Sequence, residues 1–149
     1  MESTQKEVID RFAGDYRFLS NFYPAEVLLD GIIYPTVEHA YQAAKTEDAG
    51  ERRKIRKAKR AAEAKTLGGQ VKMRPGFENA KIQVMYNLLE QKFSKGELRQ
   101  KLLDTGDAKL VEGNDWNDKF WGSVDGVGKN WLGRLLMEIR SNLHSKGAT

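Results

Sequence analysis

The chain has 149 residues, 40% hydrophobic and 31% charged, a balance that fits one folded domain with a single core. It has no cysteine, which excludes disulfides and thiolate metal sites, and no apolar run approaches the length of a membrane-spanning helix. The formal net charge is +4, with Arg52, Arg53, Lys54, Arg56, Lys57, Lys59, Arg60 and Lys65 gathered in one stretch that reads as a solvated helix face or as an anion-binding surface.

The N-terminal stretch from Met1 to Glu7 is polar and lacks the apolar segment of a signal peptide, so a cytoplasmic location is expected. Residues 16–35 are expected to be extended. Within them Glu26-Val27-Leu28-Leu29 and Ile32-Ile33-Tyr34 flank Asp30-Gly31, a pair suited to a tight hairpin turn, and Pro35 ends the second strand. Thr36 is placed to cap a helix running from Val37 to about Thr46. Asp48 caps a further helical stretch that ends at Leu67-Gly68-Gly69, and sparse apolar positions allow a break near Lys59–Ala61. Ile82, Met85, Tyr86, Leu89 and Phe93 recur at helical spacing and predict a helix over 77–93. Leu98, Leu102 and Leu103 continue as a short helix, and Lys109–Glu112 reads as a short extended segment. Residues 113–128 read as loop. The last helix spans 130–143 with Leu132, Leu135, Leu136, Ile139 and Leu143 on one stripe. The expected fold is mainly α (α+β): one helical domain over residues 1–149 with a small antiparallel hairpin near its N-terminus.

Three clusters carry candidate chemistry. Glu38, Gln42 and Lys45 share one helical face. From spacing alone they read as a surface ion-pair row. The slim residues Ala40, Ala43 and Ala44 and the aromatic Tyr41 favour a packed site instead. The loop Glu112–Gly122 holds Trp116, Asn117, Asp118 and Trp121, which suit a sugar or a base as well as a core plug. In Phe18-Leu19-Ser20-Asn21-Phe22, Ser20 and Asn21 can serve a ligand or a turn. His39 and His144 are not at metal-ligand spacing, and no glycine-rich phosphate loop follows a strand, so neither a metal nor a cofactor is expected.

These clusters lie within segments that resemble the NADAR (YbiA-like) family from about Phe12 to Leu143. The segments are 18–22, Pro35-Thr36-Val37-Glu38-His39-Ala40-Tyr41-Gln42-Ala43-Ala44-Lys45, Ala64–Gly68, Lys92-Phe93, Leu102–Gly106, Leu110–Asn114, Asp118–Gly122 and Gly128–Met137. Phe77 stands where members of the family often carry tryptophan. Val124-Asp125-Gly126-Val127 stands where some carry a histidine.

The resemblance implies a YbiA-like helical fold and an N-glycosidase acting on a ribosyl–nitrogen bond. The substrate would be a phosphoribosylamino-pyrimidine intermediate of riboflavin synthesis, or ADP-ribosyl-guanine in nucleic acid. By position it makes Glu38 and Lys45 catalytic, with a Lys45 Schiff base as one route. It gives Phe18, Asn21, Gln42, Trp116, Asp118, Trp121 and Asn130 to the sugar or base. Two other classes fit the same features: a non-catalytic module that binds ADP-ribose, and a basic nucleic-acid-binding domain. Oligomeric state is not legible.

Overall fold

In the computed structural model, which describes residues 7–147, Asp30 and Gly31 both take left-handed backbone angles, φ 49° and 79°. That is the conformation a two-residue hairpin loop requires. It joins β2 (Val27–Leu29) to β3 (Ile32–Tyr34) in antiparallel register, Val27 opposite Tyr34 and Leu29 opposite Ile32. Val27 and Tyr34 face inward, while Leu28 and Ile33 are half exposed. The outward backbone groups of Leu28 meet the side-chain amide of Gln91, which accepts from its N–H at 2.7 Å and donates to its carbonyl at 2.9 Å. One glutamine thus stands in for a neighbouring strand.

The described elements fall into two compact units. The central one is Asn21–Lys92; the other combines the residues up to Ser20 with those from Phe93 onward. In the central unit the hairpin leads into α1 (Val37–Ala44), α2 (Ala49–Lys57), α3 (Ala61–Gly68) and α4 (Phe77–Lys92). Thr36 caps α1 as the sequence requires, accepting from the His39 N–H at 3.0 Å. Every residue of α1 is buried, so the helix is the spine of the unit.

The expected break between α2 and α3 falls at Ala58. Its carbonyl, turned out of the helix, accepts from Nε2 of His39 at 2.9 Å, while Nδ1 of the same ring meets the Thr36 hydroxyl at 2.6 Å. His39 therefore ties the start of α1 to the end of α2. The buried stripe of α4 is Met85, Leu88, Leu89 and Lys92, with Phe93 just beyond the helix. Ile82 and Tyr86, expected on that stripe, are only partly buried.

In the other unit β1 (Val8–Ile9) pairs in parallel with β4 (Lys109–Leu110). The expectation of extended chain from residue 16 is corrected here, because Gly14–Leu19 coil into a 3-10 helix that buries Phe18 and Leu19. α5 (Gly96–Asp104) and α6 (Trp131–Gly147) complete the unit. The predicted stripe of α6 is buried throughout, from Leu132 to Leu143. The helix runs past its expected end at residue 143. Residues 1–6, read from sequence as a polar N-terminus, lie outside the described residues. Among the described residues no helix is long and apolar enough to cross a membrane.

Candidate active site

Glu38, Gln42 and Lys45 follow each other along α1 at intervals that bring them to one face. The structure buries Glu38 and Gln42 and half buries Lys45, which removes the surface ion-pair row as a reading. Glu38 is 7% exposed and Gln42 4%. Nε2 of Gln42 donates to Oε2 of Glu38 at 2.6 Å. The backbone N–H of Glu38, one of the groups the first turn of a helix leaves without an internal partner, donates to the Asn21 carbonyl at 3.1 Å. Asn21 is itself buried. Its Nδ2 reaches Sδ of Met85 at 3.5 Å, and its Oδ1 is a buried acceptor with no hydrogen-bond partner among the described residues.

Lys45 caps the C-terminus of α1 and is half buried. Its amine lies 5.6 Å from the centre of the Tyr41 ring, which packs on Phe77 at 5.6 Å. Burial pushes the Lys45 amine below the ordinary lysine range, and the charges of Lys65 and Lys81 push the same way. The carboxylates of Glu38 and Glu78 oppose the shift. The backbone under this amine is pinned by a residue that sequence reasoning missed. Arg74 donates from its backbone N–H to the Lys45 carbonyl at 2.7 Å and from Nε to the Ala44 carbonyl at 2.8 Å, closing the last turn of α1. Nothing local announces this, since Arg74 belongs to the connection between α3 and α4. A cleft of about 640 Å³ opens beyond it, with Arg52, Arg74, Leu28 and Gln91 among its walls. Glu38, Gln42 and Lys45 are not in that lining.

A second missed group is Lys92. It is 4% exposed, and burial lowers its amine to about 7. Its signal was readable: Met85, Leu88 or Leu89, and Lys92 continue one stripe of α4, so an amine occupies a core position.

The remaining candidates belong to the other unit. Phe18 is 5% exposed, with the Lys101 amine 5.6 Å from its ring. Trp116 is 54% exposed, so it plugs no core. Trp121 is partly buried and stands edge-on to Phe120 at 4.8 Å. Asp118 shapes its own loop: Oδ1 accepts from the N–H groups of Phe120 and Trp121 at 3.0 and 2.9 Å. Both ends of its peptide are bonded by the Asn114 side chain.

Asn130 is buried, with its amide engaged at both ends. Oδ1 accepts from the Glu112 N–H and Nδ2 donates to the Leu110 carbonyl, each at 2.9 Å, and its φ is 51°. Asn130→Ala would leave both backbone groups without a partner and put alanine in the left-handed region. It should lower unfolding stability by about 3 kcal/mol, read from the urea midpoint. Among the described residues no cluster of histidine, aspartate or glutamate is arranged to hold a metal ion.

Comparison with known proteins shows the family and the fold. The NADAR domain model matches residues 9–144. The N-glycosidase YbiA of Escherichia coli is 42% identical over 133 residues, covering 87% of this chain and 82% of that protein. A riboflavin biosynthesis protein of Vibrio vulnificus is 37% identical over 133 residues, and the match spans only 36% of its length. The solution structure of E. coli YbiA superposes with a TM-score of 0.85 at 38% identity, covering 98% of this chain and 90% of that one. By its sequence, its helical architecture and the motif that builds α1, the chain is a member of the NADAR domain family.

Proposed function

We propose that the protein is an N-glycosidase that hydrolyses the bond between C1′ of a ribose and a nitrogen of a base, with Glu38 and Lys45 as its catalytic residues. The observation that carries this reading is the row Glu38–Gln42–Lys45 on one face of α1, its first two residues buried and the third half buried, where burial lowers the pKa of the lysine amine. The names of the relatives, N-glycosidase and riboflavin biosynthesis protein, support the same chemistry.

In this mechanism the furanose opens as the C1′–O4′ bond breaks and Glu38 delivers a proton to O4′. The neutral Lys45 amine adds to C1′, and the base nitrogen leaves with a proton, giving a lysine imine. Water adds to C1′, Glu38 takes and returns the proton, and the amine is released as the sugar recloses. Asn21 is assigned to a hydroxyl of the sugar because its buried Oδ1 has no hydrogen-bond partner among the described residues. Phe18, Trp116, Asp118 and Trp121 are assigned to the substrate. Asn130 is assigned to holding the backbone around it, as its two bonds indicate.

A phosphoribosylamino-pyrimidine is the substrate we favour, since riboflavin synthesis is what the Vibrio relative is named for. The exposed basic residues Arg53, Lys54, Lys57, Lys59, Arg60 and Lys65 support a second reading, ADP-ribosyl-guanine carried on nucleic acid. The family match runs through both units, which supports one functional domain, and the cysteine-free composition fits a cytoplasmic setting. The protein should be incubated with each substrate and the free base followed by chromatography. Release from the pyrimidine compound alone is the expected result. Release from ADP-ribosylated oligonucleotide alone would move the assignment to the second substrate. Tight binding of ADP-ribose with no turnover of either substrate would make the protein a binding module.

A further inference from the structure

We infer that Gly68, on α3, is a positioning residue for the catalytic carboxylate, acting through Gln42. This rests on the reading of Glu38 as the proton-transfer group. Gln42 is buried and its amide has two ends in different surroundings. Nε2 is bonded to Glu38 at 2.6 Å. Oε1 is buried and has no hydrogen-bond partner among the described residues. The carboxylate fixes which way the amide points, because the opposite orientation would set two oxygens against each other. The amide oxygen is therefore turned onto α3.

What it meets there is Gly68, itself buried. A Cβ on Gly68 would collide first with Oε1 of Gln42, then with its Cδ and its Cβ, and these are the nearest atoms such a group would meet. The space in which the Gln42 amide lies is the space of the missing side chain. Leaving a buried amide oxygen without a partner costs about 1–3 kcal/mol, so packing alone gives no reason to place it there. The arrangement makes sense as a stop. With α3 behind it, the amide has one position, and Glu38 is held at Oε2. A displacement of about 1 Å in a catalytic group can cost about 100-fold in rate.

The test is a cycle read in kcat and KM separately. Gly68→Ala should lower kcat about 100-fold and leave KM within about threefold, because the substrate's binding groups are elsewhere. Gln42→Gly should lower kcat by a similar factor. The swap Gln42→Gly with Gly68→Ala restores the lost Cβ volume from the other helix, and it should be no slower than Gln42→Gly by more than about threefold. Full kcat in Gly68→Ala, or a further 100-fold loss in the swap, would overturn the inference.

If Gly68→Ala alone does not fold, the swap decides. A folded swap with the kcat of Gln42→Gly supports the relay, and an unfolded one assigns Gly68 to general packing and overturns it. If the wild type turns over neither substrate, the reading of Glu38 fails instead. The relay is then judged by NMR exchange of the Gln42 side-chain amide. Slow exchange in wild type and fast exchange in Gly68→Ala supports it, and equal rates refute it.

Discussion

Lys45→Arg is expected to reduce turnover by at least about 1000-fold while the protein stays folded, because a guanidinium remains charged and does not add to carbon. Glu38→Gln should cost about 100- to 10,000-fold, the range for removing a general acid–base group. A direct check is available for the lysine. Borohydride added during turnover should reduce the imine and leave a sugar fragment on Lys45, located by peptide mass spectrometry. An adduct elsewhere, or full activity in Lys45→Arg, would remove the Schiff-base route. The pH dependence follows from the same environment. Burial lowers the amine's pKa, so the reactive neutral form appears at a lower pH than for free lysine. The rate should rise with pH through that lowered value and level off before the ordinary lysine range.

Lys92→Met should change how stability depends on pH. In the folded protein burial brings the Lys92 amine down to about 7 from its ordinary 10.5. Between those values the unfolded chain holds a proton that the folded chain lacks, so unfolding stability rises with pH. The slope for one such group is at most about 1.4 kcal/mol per pH unit, and the whole rise is about 3–5 kcal/mol. The penalty is complete below pH 7 and gone above the unfolded value. Methionine has a similar volume and no charge to desolvate. Urea midpoints at pH 6.5 and 9.5 should therefore differ for wild type and nearly coincide for Lys92→Met, which should also be the more stable at pH 6.5. Parallel profiles for the two proteins would contradict the assignment.

The parts of the fold legible in the sequence are those written locally. Asp30-Gly31 and Thr36 name their turn and cap within a few residues, and the stripe of α6 is read from its own spacing. Elements set by distant partners were not legible. β1 exists because Val8 and Ile9 meet Lys109 and Leu110, far along the chain, and two residues give no periodicity to read. The 3-10 helix over Gly14–Leu19 replaced expected extended chain because Tyr16 and Phe18 stand two apart, the spacing of a strand, whereas the coil buries the adjacent Phe18 and Leu19. The same division runs through the site. Glu38, Gln42 and Lys45 are found from helical spacing, but their burial is not, because it depends on α3 and α4 packing on α1. Asn130 was given to the sugar or base through the family resemblance, and its own position at the start of the last helix says nothing of its partners. Its partners, Glu112 and Leu110, are reached only once the chain has doubled back. Lys92 was legible as a core position from the stripe of α4, while Gly68 lay within a family-like segment and smallness alone gave it no role.

The Gln91 amide that meets Leu28 on both backbone sides has a consequence for behaviour at high concentration. Leu28, Ile32 and Ile33 expose large aliphatic surface on a bare hairpin, the composition that invites strand-by-strand accretion. On the β2 side that rung is already occupied, so an incoming chain would have to evict an intramolecular amide before it could dock. The glutamine acts there as a stopper against fibrillar growth, fitted by the protein to its own seam.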